Sequence, residues 1–376
     1  MKSKKCIVLF LVLLLLNSCI TKFIPETDEN ETMLVVEGIL TDQPGITRVK
    51  LSKSLPLSSD YKREILRGCT VTITDDMNRW IELEETEPGT YVPRSRQFSG
   101  TVGQKYQLHI KSNNPDLSNN SYESLPMEMI PVPAIDSLFY EKVNISSTEN
   151  GRISEQACRV YLNAFDPDGL CKYYRYDFSE TWMFRLPYDV ENQICWISET
   201  SNFINIKSTE VLSEDRIDRM PVNYITVQTD RLAERYSMLV NQYSLTEDEF
   251  IYWEKLQNIT ENVGSLYDIT PVSISGNIYC VDNPYEQVLG YFSVSAVTSR
   301  RIFIDDGFEG LVHLYNQCPS DTIWGDQQID GLDITCWAII SDIVNMYTVL
   351  TTNKGCADCT VRGTNIEPSF WRESIK

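Results

Sequence analysis

From Met33 onward, apolar and polar side chains alternate with the period of two that half-buried strands require. The segment MLVVEGIL reads as a first strand. GCTVTITDDMNRWIELEE reads as two, with Cys69, Val71 and Ile73 on one face and Thr70, Thr72 and Thr74 on the other. Asp75, Asp76 and Asn78 supply the turn between them, and Ile81 and Leu83 then alternate with Glu82 and Glu84 on the return. Pro88-Gly89 marks another turn. In GQKYQLHI, Tyr106, Leu108 and Ile110 point inward and His109 outward, as a surface strand residue. Strands and turns at this spacing predict a compact β-sandwich over residues 33–130.

PMEMIPVPAIDSLFY carries three prolines, which interrupt helix and inner strand alike and place a boundary near Pro131. A larger β-rich unit, 131–376, follows. In ACRVYLNAFDPDGLCKYYRYDF two alternating runs flank Asp166-Pro167-Asp168-Gly169. The tetrapeptide lacks the further acidic positions and distal glutamate of a calcium loop, so it reads as a hairpin turn. One insertion has helical periodicity, SLTEDEFIYWEKLQNITENVG near 246–263. Thr246 with Glu249 forms a capping box, Phe250, Trp253, Leu256 and Ile259 form an apolar stripe, and Gly264 is suited to end the helix. The stripe is expected to pack on a neighbouring sheet, with a ligand platform as the rarer use. Strand character returns in YFSVSAVTSRRIFI.

The first residues, MKSKKCIVLFLVLLLLNSCITKF, have a different pattern. Lys2, Lys4 and Lys5 precede an unbroken apolar run from Ile7 to Leu16. A membrane-crossing helix needs roughly 20 apolar residues, and this run is about half that, so it reads as a secretory signal, 1–18. Leu16-Asn17-Ser18-Cys19 resembles the lipobox of bacterial lipoproteins, which makes Cys19 the expected lipidation site and 19–32 an acidic tether. Each buried methylene of an acyl chain contributes about 0.8 kcal/mol, so several chains hold a soluble body firmly on a bilayer. Ile20 stands where aspartate would typify retention in the inner membrane, and the outer membrane is the expected destination.

Composition narrows the partners. The net charge of −20 leaves no basic stripe for a phosphate backbone, which argues against nucleic acid. The 11 cysteines include Cys6 and Cys19 near the start, and nine remain, so at least one is unpaired or bonded to another chain. Cys356-x-x-Cys359 could serve zinc, redox chemistry or a disulfide framework. In an exported chain the last is the expected use, with Cys318, Cys336, Cys356 and Cys359 as candidates. The only histidines, His109 and His313, are isolated, which weakens both a zinc site and a histidine-based triad. No phosphate loop, dinucleotide fingerprint, nucleophile elbow or zinc-protease motif occurs, so no catalytic residue, metal ligand or cofactor is assigned. Asp136-Ser137-Leu138 and Asp321-Thr322-Ile323 resemble the acceptor for O-glycosylation of exported proteins in Bacteroides-type bacteria, which makes Ser137 and Thr322 candidates.

LTEDEFIYWEKL, GSLYDITPVSISGNIYCVDNPYEQVLGYFSVSAV, IDSLFY and the closing CADC…G…EPSFW together resemble a Bacteroidota lipoprotein family, domain of unknown function 4249. That resemblance implies an immunoglobulin-like N-terminal domain and a gene placed beside TonB-dependent outer-membrane transporters. It carries no catalytic residues. It leads to the expectation of a lipid-anchored, surface-exposed, non-catalytic accessory that binds a nutrient or a transporter during uptake. A surface glycosidase or peptidase, or an adhesion or assembly component, is the alternative.

Overall fold

The computed structural model describes residues 33–54, 64–114, 117–146, 154–261, 274–309, 311, 318–324, 337–342 and 345–372. Cys19, Gly264, His313 and Cys336 lie outside these ranges. The protein is mainly β. The first sheet has eleven strands, and nine of them form one path. In chain order the N-terminal strands are β1 (Leu34–Thr41), β2 (Arg48–Lys53), β3 (Glu64–Ile65), β4 (Thr70–Asp75), β5 (Trp80–Glu87), β6 (Thr90–Pro93), β7 (Lys105–Lys111), β8 (Ser121–Ser124) and β9 (Met127–Glu128). Alternation builds them as expected: Val71, Ile73, Leu83, Tyr106, Leu108 and Ile110 are all buried in one core. His109 lies on the outer side, bonded to Thr74 and Glu123.

The region expected to form an immunoglobulin-like sandwich is thus one continuous sheet, and the chain returns to it much later. Strand β17 (Ile278–Cys280) pairs with β8, and β18 (Val288–Ser295) pairs with β1 in parallel. These two arrivals face each other, and a side chain brings the ends of the path together. Asn277 donates from Nδ2 to the Phe292 carbonyl and accepts from the Phe292 amide, both at 2.9 Å. Its own carbonyl accepts from Leu125. This amide side chain and the backbone bridge between Ser275 and Leu289 together nearly close the sheet. Asn277→Ala strands a buried N–H and C=O on Phe292 and is expected to cost about 2 kcal/mol, measurable by urea unfolding. Close approach also needs Gly290, whose φ is +95 and whose added Cβ would lie 1.9 Å from the Val36 carbonyl oxygen.

Between β9 and β17 lie β10 (Ile135–Ser146), β11 (Ser154–Phe165), β12 (Tyr173–Arg185), β13 (Ile194–Thr200), β14 (Asn205–Ser208), β15 (Arg216–Thr226), β16 (Tyr236–Leu245) and the helix α1 (Glu247–Glu261). Strands β10, β11 and β15 form a three-stranded sheet. Strands β12, β13, β14 and β16 join β19 (Val297–Ile304) in a five-stranded one. Their inner faces share a core that includes Val160, Leu162, Tyr176, Trp182, Val222 and Met238. The Asp166–Gly169 turn is therefore not a hairpin, since β11 and β12 pair with different neighbours and face each other across this core. The Asp166 carboxylate caps the crossover by accepting from the amides of Asp168, Leu170 and Cys171.

The run YFSVSAVTSRRIFI, expected as one strand, divides at Ala296 into β18 in the first sheet and β19 in the second. The two sheets are tied at that step. Ser244 donates to the Ile130 carbonyl and accepts from the Ala296 amide, and Asp42 accepts from the Val297 amide. A small outer sheet comprises β20 (Ser320–Trp324), β21 (Trp337–Asp342) and β22 (Tyr347–Thr351).

Candidate functional site

Where the two larger sheets meet, a cleft of about 390 Å³ opens, within the size range of small-molecule sites. Its floor is the outer face of β2, β1 and β18. Register sets two rows across these strands: Lys50 opposite Glu37 opposite Tyr291, and Arg48 opposite Ile39 opposite Ser293. Alternation explains why, since Val36 and Leu40 of the same strand are buried in the core behind. One wall is the second sheet, with Arg175 and Asp177 on β12 and Tyr243 on β16. The other is α1, with Tyr252, Trp253 and Leu256.

The helix is positioned by its start. Thr246 Oγ accepts from the Glu249 amide at 3.3 Å, which is half of the capping box read from the sequence. The Glu249 carboxylate does not complete the other half. It is fully buried, and Oε1 accepts from the Trp253 indole at 3.2 Å. Oε2 is buried without a hydrogen-bond partner among the described residues. Burial pushes the Glu249 carboxyl up to about 7, although nearby Ser293, Trp253 and Arg175 act in the opposite direction. The stripe Phe250, Trp253, Leu256 and Ile259 is only half-buried. Phe250 packs against Tyr173 of the second sheet, with ring centres 5.1 Å apart, whereas Trp253 and Leu256 line the cleft. Packing on a neighbouring sheet is thus seen at Phe250, while Trp253 and Leu256 face the cleft.

Arg175 carries the densest chemistry. Its guanidinium carbon lies 4.4 Å from the Tyr243 ring centre and 5.0 Å from that of Trp253, two cation–π contacts that hold it between the walls. The ion pair to Asp177 is long, at 3.7 Å. Asp177 takes a shorter hydrogen bond from Asn241, at 2.7 Å. The Tyr252 ring lies tilted on Tyr291 of the floor, with centres 4.7 Å apart, so the helix meets the first sheet through this ring pair and the second through Tyr173 and Arg175.

None of the described cysteines lines this cleft. Cys356 and Cys359 are not bonded to each other: Cys195 pairs with Cys359 and Cys318 with Cys356. Cys195, on β13, was not among the paired candidates, and spacing offered no signal for so distant a partner. The tail it captures lies along β13, where Trp196 and Thr364 exchange both backbone hydrogen bonds. An added Cβ on Gly363 would lie 2.5 Å from the Trp196 carbonyl oxygen, and Trp371 is buried with its ring edge-on to Trp196. The motif CADC…G…EPSFW is thus a docking strip. Cys69, Cys158, Cys171 and Cys280 are free and buried, and burial raises the thiols of Cys158 and Cys171 to about 12, which keeps them protonated. Ser137 is half-buried on β10 and accepts from Asn163, while Thr322 is exposed on β20. No metal-binding group of acids, histidines and cysteines occurs among the described residues.

These features define a mainly β protein with a ringed, cation-bearing cleft at the junction of two sheets. The profile of the family described as Domain of unknown function (DUF4249) matches residues 20–301, and the chain belongs to that family. No curated protein matches the sequence. Among solved structures, the BSP domain of a biofilm associated protein aligns with 77% of this chain at 6% identity and a TM-score of 0.14. The alignment covers 62% of that structure's chain, and the superposition is too loose to define a common fold.

Proposed function

We propose that this is a lipid-anchored cell-envelope protein that binds a nutrient ligand in the cleft without transforming it, as an accessory of a TonB-dependent uptake system in the outer membrane. The observation that carries the binding part is the cleft itself: rings on floor and walls, with cations among them. Of the acids there, Asp177 accepts from Asn241, Glu37 stands across from Lys50, and Glu249 is buried and accepts from the Trp253 indole. Glycosidase chemistry needs two carboxyl groups facing one bond, and a ringed cleft whose acids stand beside amide and cationic partners supports binding more than the hydrolase alternative. Two disulfides support an oxidising compartment. No helix among the described residues is long and apolar enough to cross a membrane. The lipid at Cys19 would keep the cleft near a transporter at high effective concentration.

The test is affinity purification from detergent-solubilised outer membranes. A TonB-dependent transporter is expected to be recovered with the protein, and recovery without any transporter would remove the import role. In the same strain Cys19→Ser is expected to move most of the protein from the membrane to the soluble envelope fraction. Retention in the membrane would count against the lipid anchor.

A further inference from the structure

Guanidinium groups usually spend their donors. An arginine held in a folded protein commonly forms a fork with a carboxylate, two parallel bonds at about 2.7–2.9 Å, and Arg219 does so here with both oxygens of Glu141, at 2.9 and 2.8 Å. Arg175 does not. Its nearest carboxylate oxygen is 3.7 Å away, outside hydrogen-bond range, and its Nε is buried with no hydrogen-bond partner among the described residues. What holds it is ring contact on Tyr243 and Trp253. Stacking fixes the plane of the group while leaving the donor edge unspent, which is a preorganised receptor for a planar oxyanion.

The charges around it point the same way. The residues lining the cleft include three cations, Arg48, Lys50 and Arg175, against two acids, Glu37 and Asp177, an excess of one positive charge. This local excess stands in a chain of net charge −20. It raises the local concentration of anions that the rest of the surface repels. Tyr252, Trp253 and Tyr291 add flat apolar surface beside the donors.

From this geometry we infer that the cleft selects ligands that carry a carboxylate next to a flat carbon face, with Arg175 forming the fork to the carboxylate and the aromatic wall covering the face. This rests on the reading of the cleft as a ligand site and specifies the chemistry it takes.

The experiment uses the purified mature chain and two probes of nearly equal shape, naphthalene-2-carboxylate and the neutral naphthalene-2-methanol, titrated by calorimetry. The carboxylate is expected to bind at least tenfold more tightly than the alcohol. Arg175→Lys, which keeps the charge and loses the fork, is expected to weaken the carboxylate about tenfold and leave the alcohol unchanged. Equal binding of both probes would overturn the selection of anions while leaving the cleft as a ligand site. Binding of neither would overturn the inference too, and the import role would still be judged separately by recovery of a transporter. Should Arg175→Lys melt differently from the parent chain, the ratio of the two probes on the unaltered protein decides the matter.

Discussion

Replacing Cys195 and Cys359 together with serine is expected to lower stability by about 5 kcal/mol, against about 4 kcal/mol for the Cys318–Cys356 pair. The ranking follows from what each bond does to the unfolded chain. The first closes a loop with a sequence separation of 164 and the second one of 38, and loop-closure entropy grows with the logarithm of that length. The local setting acts in the same direction. Cys195 and Cys359 are buried with Phe184 and Leu186, and the strip they anchor carries the Arg362–Asp230 ion pair at 2.8 Å and the hydrogen bond from Arg235 to the Trp371 carbonyl. Urea unfolding of the two double variants checks the ranking. Equal losses, or a larger loss for the shorter loop, would show that strain or residual structure outweighs the chain-entropy account.

Strands whose partners are near in sequence were legible. β4, β5 and β7 follow their alternation almost residue by residue, because each buries one face on a core and exposes the other. Pairings that join distant segments were not. Nothing in Val36 or Gly290 announces that they are opposite each other on parallel strands, nor does Asn277 look different from any turn asparagine. The Asp166 turn shows a related limit, since a turn signal says that the chain reverses without saying whether it returns within one sheet or crosses to the facing one.

The cleft was legible only on its helical side. Trp253 and Leu256 belonged to a stripe already singled out, but Arg175 sits in YYRYDF as an ordinary polar position of a strand. Its role depends on Tyr243 opposite it on β16 and on α1 folding over both. Glu249 was read as a capping residue. Its backbone serves that purpose while its side chain has been drawn into the interior, a choice that only the third dimension reveals.

Glu249→Gln is expected to stabilise the protein by about 3 kcal/mol at pH 8 and by less than about 1 kcal/mol at pH 5. In the unfolded chain this carboxyl loses its proton near 4.5, whereas in the folded one burial holds the proton up to about 7. Between those values the folded state binds more protons than the unfolded state, so stability falls as pH rises, and the loss is complete above 7. Glutamine has the shape of the protonated acid and does not titrate. Its Oε1 can still accept from Trp253 Nε1, and its amide can face Ser293, so the substitution removes the pH-dependent cost without breaking the contact that orients the indole in the cleft. Arg175 is the charged group facing Glu249, so ionising the carboxyl places a negative charge beside the guanidinium. Urea unfolding of both proteins at pH 5 and pH 8 checks the difference. Parallel stability curves for the two chains across that range would mean that Glu249 does not hold its proton in the folded state.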